Sequence, residues 1–168
     1  MAATSTITLS LLAELTATAD LAANKSTINY PKSFSFTDGE GANMIESLWQ
    51  DQRTLAASAS ETLDLYGGLT NAFGATISFN KIKALLISAA AANTNNVLVG
   101  GNASNAFVNW VANSSDIVVV RPGGLLLLVA PGATGYGVSS GTGDILKVAN
   151  SSSGTSVTYD IVLLGEVA

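Results

Sequence analysis

The chain has 168 residues, of which 48% are hydrophobic and only 11% are charged, and its formal net charge is −5. A chain of this length fits one domain, and the negative charge argues against the phosphate backbone of a nucleic acid as a partner. The sequence contains no cysteine and no histidine, which excludes disulfides, thiolate metal sites and catalysis by either side chain. Since ordinary globular proteins carry about 25% charged residues, we expect other subunits to cover part of this surface.

The N-terminus and the apolar runs argue against export and membrane insertion. The first twenty residues contain no Lys or Arg and no unbroken apolar core, both of which a secretory signal needs. The run Leu125 to Ala130 lies between Pro122 and Pro131, far short of the roughly 20 apolar residues that span a bilayer. We therefore expect synthesis in the cytoplasm and no membrane partner.

Residues 6–17 alternate between apolar and polar side chains, which is typical of a half-buried strand. Leu12 breaks the alternation, so a helical turn over "LSLLAEL" stays open as an alternative. Residues 20–32 are predicted to form a polar arm or loop. Residues 1–36 together are predicted to be an N-terminal strand and arm that reaches a neighbouring subunit.

The segment 43–52 carries the pattern of a short helix. Asn43 and Glu46 have the spacing of a capping box, in which each side chain accepts a free backbone N–H. Four apolar residues then share one face at helical spacing: Met44, Ile45, Leu48 and Trp49. We predict one helix here and no other.

Beyond Arg53 the chain consists of short β-rich runs separated by Gly, Pro, Asn and Ser. Strands at this spacing without helical patterns between them indicate an all-β sandwich or jelly roll. We therefore predict an all-β, sandwich or jelly-roll-like domain over residues 37–168, with one short helix and an extended N-terminal segment.

Two hairpins are predicted from turn residues. The first joins the strands of "VANSSSGTSV", and the second joins "IVVVR" to "LLLLVA" through the turn "PGG". Because Leu125 to Val129 is apolar at every position, we expect it to be a central strand with both faces covered. The glycines after Pro131 are expected to form a loop that holds no ligand.

The motifs that resemble catalytic or nucleotide-binding signatures lack essential residues. Residues 137–141 have the letters of the G-x-S-x-G nucleophile motif, but that mechanism needs a histidine base. The stretch "GATGYGVSSGTG" has no lysine, which a phosphate-binding loop requires. Asp38, Glu40 and Asp51 do not follow the calcium-loop spacing. We predict a protein that is not an enzyme and that holds no cofactor and no metal.

Large side chains are few, and three of them are predicted to anchor an interface: Trp49, Arg53 and Trp110. Tryptophan and arginine are enriched at the centres of protein interfaces. The alternative is a sugar-binding platform, in which aromatic rings stack on a carbohydrate. That alternative draws on the same tryptophans together with Tyr66, Tyr136 and Tyr159.

Several blocks of sequence occur in order from Trp49 to the C-terminus: "WQDQRTLAASASETLDLYGG", "NNVLVGGNASNAFVNWV", "VVVRPGGLLLLVAPGATGYGV" and "GTGDILKVANSSSGTSVTYDIVLLG". In these blocks the chain resembles a family of small virion structural proteins of tailed bacteriophages. The resemblance implies a non-enzymatic capsid decoration or cement protein on the capsid surface of the virion. Its implied partners are the major capsid protein and copies of itself.

Two other roles remain open at this stage. A tail or head-to-tail connector protein would belong to the same class of virion components. A carbohydrate-binding module on the virion surface would belong to a different class, and it would need two or three aromatic rings on one exposed face.

Overall fold

A computed structural model describes residues 2–168, and within that range the chain forms β-strands and no helix. In chain order the strands are β1 (Ser5–Thr18), β2 (Ala23–Asp38), β3 (Met44–Ile45), β4 (Ser47–Leu55), β5 (Ser60–Asp64), β6 (Tyr66–Thr70), β7 (Thr76–Ala89), β8 (Val97–Gly100), β9 (Ile117–Val120), β10 (Leu125–Val129), β11 (Tyr136–Gly137), β12 (Ile145–Asn150) and β13 (Val157–Val167). The all-β prediction is therefore confirmed, and the prediction of a helix is wrong.

Two sheets form a sandwich-like body. The main sheet has the strand order β10-β7-β13-β4, and β6 and β11 also pair with β7. The second sheet has the order β5-β12-β8-β9. Inward side chains of β7 and β13 meet those of β8 and β12 in one large core, which includes Phe79, Ile161, Val99 and Leu146. We call the side of the main sheet that faces away from the second sheet its outer face.

Strands β1 and β2 form a long antiparallel hairpin, which we call the ribbon. Its register runs from Ser5 opposite Phe36 to Thr18 opposite Ala23, and at its base β3 pairs with β2 in parallel. The strand expected at residues 6–17 is confirmed as β1, but it is exposed along most of its length and not half-buried. The loop expected at residues 20–32 is wrong from Ala23 onward, because every residue there pairs with β1 and so has backbone partners that the polar sequence did not reveal.

The predicted helix over residues 43–52 is replaced by β3 and β4. Trp49 pairs with Leu163 across a long β4–β13 ladder, and that pairing overrides the helical spacing of the apolar residues. Asn43 has a positive φ of 59°, so it closes a turn and does not cap a helix. The Glu46 carboxylate accepts a hydrogen bond from the Val167 N–H, on the strand beside it.

Both predicted hairpins are wrong, and for the same reason. The segment between β12 and β13 joins strands of different sheets, and so does the "PGG" turn between β9 and β10. Turn residues show that the chain changes direction, but they do not show with which strand the strand after the turn pairs. The two turns therefore connect the two sheets of the sandwich, the first between interior strands and the second between edge strands.

Strand β10 lies at the edge of the main sheet, not at its centre, and pairs only with β7. Leu126 and Leu128 pack against the large core. On the outer face Leu125 is 57% exposed, and Leu127 is only half-buried. The expectation that both faces of this strand are covered is thus met on the inner face alone.

A β-bulge interrupts the β7–β13 ladder close to the base of the ribbon. Leu164 pairs with Ala84 and Gly165 pairs with Ile82, so Lys83 is the extra residue. A Cβ atom on Gly165 would lie 2.2 Å from the Lys81 carbonyl oxygen and 2.8 Å from Cδ1 of Phe79. Only glycine permits this close approach of the two backbones.

We expect Gly165→Ala to lower the free energy of unfolding by about 3 kcal/mol, because the new methyl group must displace backbone in a packed sheet. Urea denaturation of the purified chain measures the change. Gly132→Ala is the matched control, since a Cβ atom there meets no heavy atom within 4 Å, and its effect should stay within about 0.5 kcal/mol. Equal effects of the two substitutions would contradict this account of the bulge.

Candidate functional site

The ribbon has one apolar face and one polar face, because successive side chains of a strand point to opposite sides. The apolar face of the ribbon consists of Ile7, Leu9, Leu11, Ala13 and Leu15 on β1 with Ile28, Tyr30, Lys32 and Phe34 on β2. The polar face is mostly Ser, Thr and Asn, and it carries an ion pair between Glu14 and Lys25 with the charged atoms 2.5 Å apart. Leu12 lies on the polar face as an exception.

At its base, the apolar face of the ribbon packs on the outer face of the main sheet. Phe36 is 2% exposed and belongs to a small core with Ile45, Ala84 and Leu164. Ile7 and Phe34 lie against the same core, together with Val129 and Val162. A second, separate core therefore joins the ribbon to the body.

Farther from the body the apolar face of the ribbon is exposed. The exposed fractions are 45% for Leu9, 52% for Leu11, 74% for Leu15 and 56% for both Ile28 and Tyr30. An isolated two-stranded ribbon is marginally stable in water, and a contiguous apolar surface of this kind is typical of an interaction site.

The outer face of the main sheet has an open apolar groove beside the base of the ribbon. Register places Leu127, Leu86 and Val162 side by side on three neighbouring strands. All three are half-buried. They line the groove together with Ser5, Ile7, Ala84 and Leu164.

A buried charge cluster lies where the ribbon meets the body, and the sequence analysis missed it. Lys83 and Glu166 are both 0% exposed, and the Lys83 Nζ atom is 2.9 Å from Oε1 of Glu166. Lys83 also donates hydrogen bonds to the carbonyl oxygens of Gly41 and Gly132. The Glu166 carboxylate accepts further hydrogen bonds from the Gly41 N–H and from Lys81. The only signal in the sequence was an isolated charge inside an apolar strand, "VLLGEV".

The pKa of Glu166 lies below its ordinary value of 4.5. Burial alone would raise it, but the hydrogen bonds from Lys81, the Gly41 N–H and Lys83 together outweigh burial. Glu166 therefore stays ionised, and its partners leave neither oxygen open to a ligand. This cluster fastens the β2–β3 and β10–β11 loops to the bulge and is structural.

A second polar cluster lies near the open edge of the main sheet. The Tyr159 hydroxyl donates a hydrogen bond of 2.8 Å to Glu61 on the second sheet. Arg53 lies 3.3 Å from the same carboxylate, and its guanidinium is 5.8 Å from the centre of the Trp49 ring. Burial and the bond to Glu61 raise the pKa of Tyr159 well above its ordinary value of 10.0.

The three predicted interface anchors do not form one patch. Trp49 is 7% exposed and belongs to the large core, and the half-buried Arg53 neighbours it on β4. Trp110 lies between β8 and β9, packs against the same core, and donates a hydrogen bond to the Phe107 carbonyl oxygen. Tyr159 is fully buried as well, which removes it from any sugar-binding platform.

The residues of the other sequence motifs lie in turns or on strands. Ser139 and Gly143 exchange backbone hydrogen bonds that close a tight turn after β11. The Asp38 carboxylate accepts a hydrogen bond from the Ala3 N–H, and Asp51 lies within ion-pair distance of Arg53. In the part of the chain that the structure describes, no three His, Cys, Asp or Glu side chains form a group that could hold a metal ion.

We expect acid to destabilise the fold through Glu166. Because its pKa is lowered in the folded state, its contribution is full above pH 4.5 and is lost as the pH falls through the folded pKa. Glu166→Gln should lower the free energy of unfolding by about 3–5 kcal/mol at neutral pH, because the substitution leaves Lys83 buried without a counter-charge. Urea denaturation across the acid range measures both effects. An unchanged acid slope in the variant would contradict the assignment.

Tyr159 should give a separate loss of stability in alkali. Its raised pKa means that the folded state keeps the phenol proton, so the free energy of unfolding falls as the pH rises above the ordinary pKa of 10.0. Tyr159→Phe should remove this slope and cost about 1 kcal/mol at neutral pH, the usual value of one hydrogen bond. Tyr30→Phe, on the exposed ribbon, is the matched control and should keep the alkaline slope.

The chain matches no protein-family model, no curated protein and no solved structure. Residues 2–168 contain no helix that is long and apolar enough to cross a membrane. The features with functional potential are thus two surfaces, the distal apolar face of the ribbon and the groove on the outer face of the main sheet.

Proposed function

We propose that this chain is a non-enzymatic structural protein of a tailed-bacteriophage virion, a decoration or cement protein that binds the major capsid protein. The observation that carries the proposal is the ribbon, which presents an uncovered apolar face on a body with a closed core. A surface of this kind serves adhesion, because burying it against the capsid protein or against a second copy of the chain removes apolar area from water without any chemical step. The resemblance of the sequence to small virion proteins supports the same role.

The proposed mechanism is binding that favours the assembled shell. A protein that binds only assembled capsid stabilises it, by about 2.7 kcal/mol per site when its free concentration is 100 times Kd. No cofactor, metal or nucleic acid takes part in this mechanism. The same proposal includes synthesis in the host cytoplasm and a position on the capsid surface. It also includes a relationship of the sandwich to jelly-roll folds.

The distribution of aromatic side chains disfavours the sugar-binding alternative. Trp49 and Tyr159 are buried in the core, and the exposed rings of Tyr30 and Phe73 lie on the ribbon and in the β6–β7 turn, respectively. A tail or head-to-tail connector protein would use the same apolar ribbon. An experiment is therefore needed to distinguish a position on the capsid surface from one in the tail or connector.

Virions made without this protein should have heads that assemble but release their DNA at lower temperature or lower salt than wild-type heads. Adding back the purified full-length chain should restore the wild-type release temperature, because binding to the shell is reversible. Electron microscopy and a DNA-release assay measure both outcomes. Stable heads with missing or defective tails would contradict the cement role and assign the chain to the tail or connector.

A further inference from the structure

We propose that the distal ribbon of one copy docks on the outer face of the main sheet of a second copy, reciprocally, so that two chains exchange ribbons. The proposal rests on the proposed function in one respect, that a virion structural protein is present in many copies. It names the partner of the distal ribbon as the groove defined by Leu86, Leu127 and Val162 on another copy.

The proposed docking continues a contact that the molecule already makes. Ile7 and Phe34 of the apolar face of the ribbon pack on Ala84, Leu164 and Val129 of the outer face. The groove residues form the next row of the same sheet, one alternation farther along each strand. Distal ribbon residues of the same type would therefore meet a surface of the type that the ribbon base already covers.

Within residues 2–168, neither surface is fully covered by its own chain. On the apolar face of the ribbon, Ile7 and Phe34 pack against the small core that joins the ribbon to the body. Farther out on the same face, Leu9, Leu11 and Leu15 are exposed. On the sheet, the run Leu125 to Val129 is apolar on both sides, yet its outer side is open at Leu125 and Leu127. A second copy supplies the missing cover for both surfaces at once.

The charges on the two surfaces are compatible with docking. The apolar face of the ribbon carries one charged side chain, Lys32, and the neighbouring part of the outer face carries one, Asp160. The two have opposite signs, so docking brings no like charges together. Asp160 also accepts a hydrogen bond from Gln52, which orients its carboxylate on the exposed side of the sheet.

The exposed face of the ribbon is large enough for a specific interface. From Leu9 to Thr18 the ribbon extends about 33 Å at about 3.3 Å per residue, and two strands with their side chains are about 10 Å wide. Complete coverage of that face by an equal area of sheet, in both directions, would bury at most about 1,300 Å² in total, which reaches the lower end of the range of specific interfaces. A reciprocal exchange uses the same two patches on each copy, which a closed two-fold dimer requires.

Sedimentation of the full-length chain over about 1 to 100 μM tests the proposal. The wild-type chain should dimerise, and the double variant Leu11→Glu, Leu15→Glu should associate at least about 100-fold more weakly, since two leucines leave the interface. The matched control is Leu12→Glu, Thr16→Glu, which adds the same charge at the same spacing on the polar face and should dimerise as wild type does. Circular dichroism and urea denaturation verify that the body of each variant is folded.

Mixing two defective chains shows which surfaces meet. Leu125→Glu places a charge on the outer face, where the wild-type side chain is 57% exposed, and it should also weaken the dimer. The ribbon variant and the sheet variant, mixed, should form a heterodimer with one intact contact, which neither forms alone. If the mixture associates no better than either variant alone, ribbon docking on the sheet is excluded. If Leu125→Glu alone dimerises as the wild type does, a ribbon-to-ribbon contact takes its place.

The outcomes separate this proposal from the proposed function. A wild-type chain that stays monomeric but restores capsid stability would overturn the ribbon exchange and leave the virion role, with the capsid protein covering the ribbon. A chain that dimerises as described but is absent from virions would overturn the proposed function alone. Equal association of the ribbon variant and its polar-face control would also overturn the exchange.

Discussion

The buried ion pair between Lys83 and Glu166 is the constraint on which the rest of the molecule depends. Charges removed from water must be paired and hydrogen-bonded, and here the partners come from three places: the bulge of β7, the end of β13, and the loops that carry Gly41 and Gly132. Lys83 can reach those loops because it is the extra residue of the bulge. The pair therefore holds the base of the ribbon in one position on the body.

Because its base is fixed, the exposed part of the ribbon has a defined direction relative to the body. The first apolar residues of the ribbon are committed to the small core with Phe36 and Ile45, so the remaining ones continue away from that contact in a defined direction. The sandwich itself is closed by its large core, and its polar clusters around Glu166 and Glu61 are occupied by partners within the chain. What the fold offers to other molecules is thus adhesive surface, and this is the property that the proposed virion role needs.

The errors of the sequence analysis share one physical cause, which is that local patterns do not specify strand partners. Met44, Ile45, Leu48 and Trp49 fit a helical face, but β4 gains a nine-residue ladder with β13 that no isolated helix could match. Residues 23–32 look like a loop because their side chains are polar, yet their backbone is satisfied by β1. The uniformly apolar β10 lies at an edge, where its outer face is open unless a second molecule covers it.

The sequence by itself determined the all-β class, the first strand, and the absence of the histidine and cysteine that many catalytic and metal sites require. Those properties depend on composition and on alternation along a single strand, which are local. Only the tertiary structure decided the pairing of β9, β10, β12 and β13, the burial of Trp49, and the meeting of Lys83 with Glu166. These depend on contacts between residues far apart in the chain, whose free energies come from burial and desolvation once the sheets have come together.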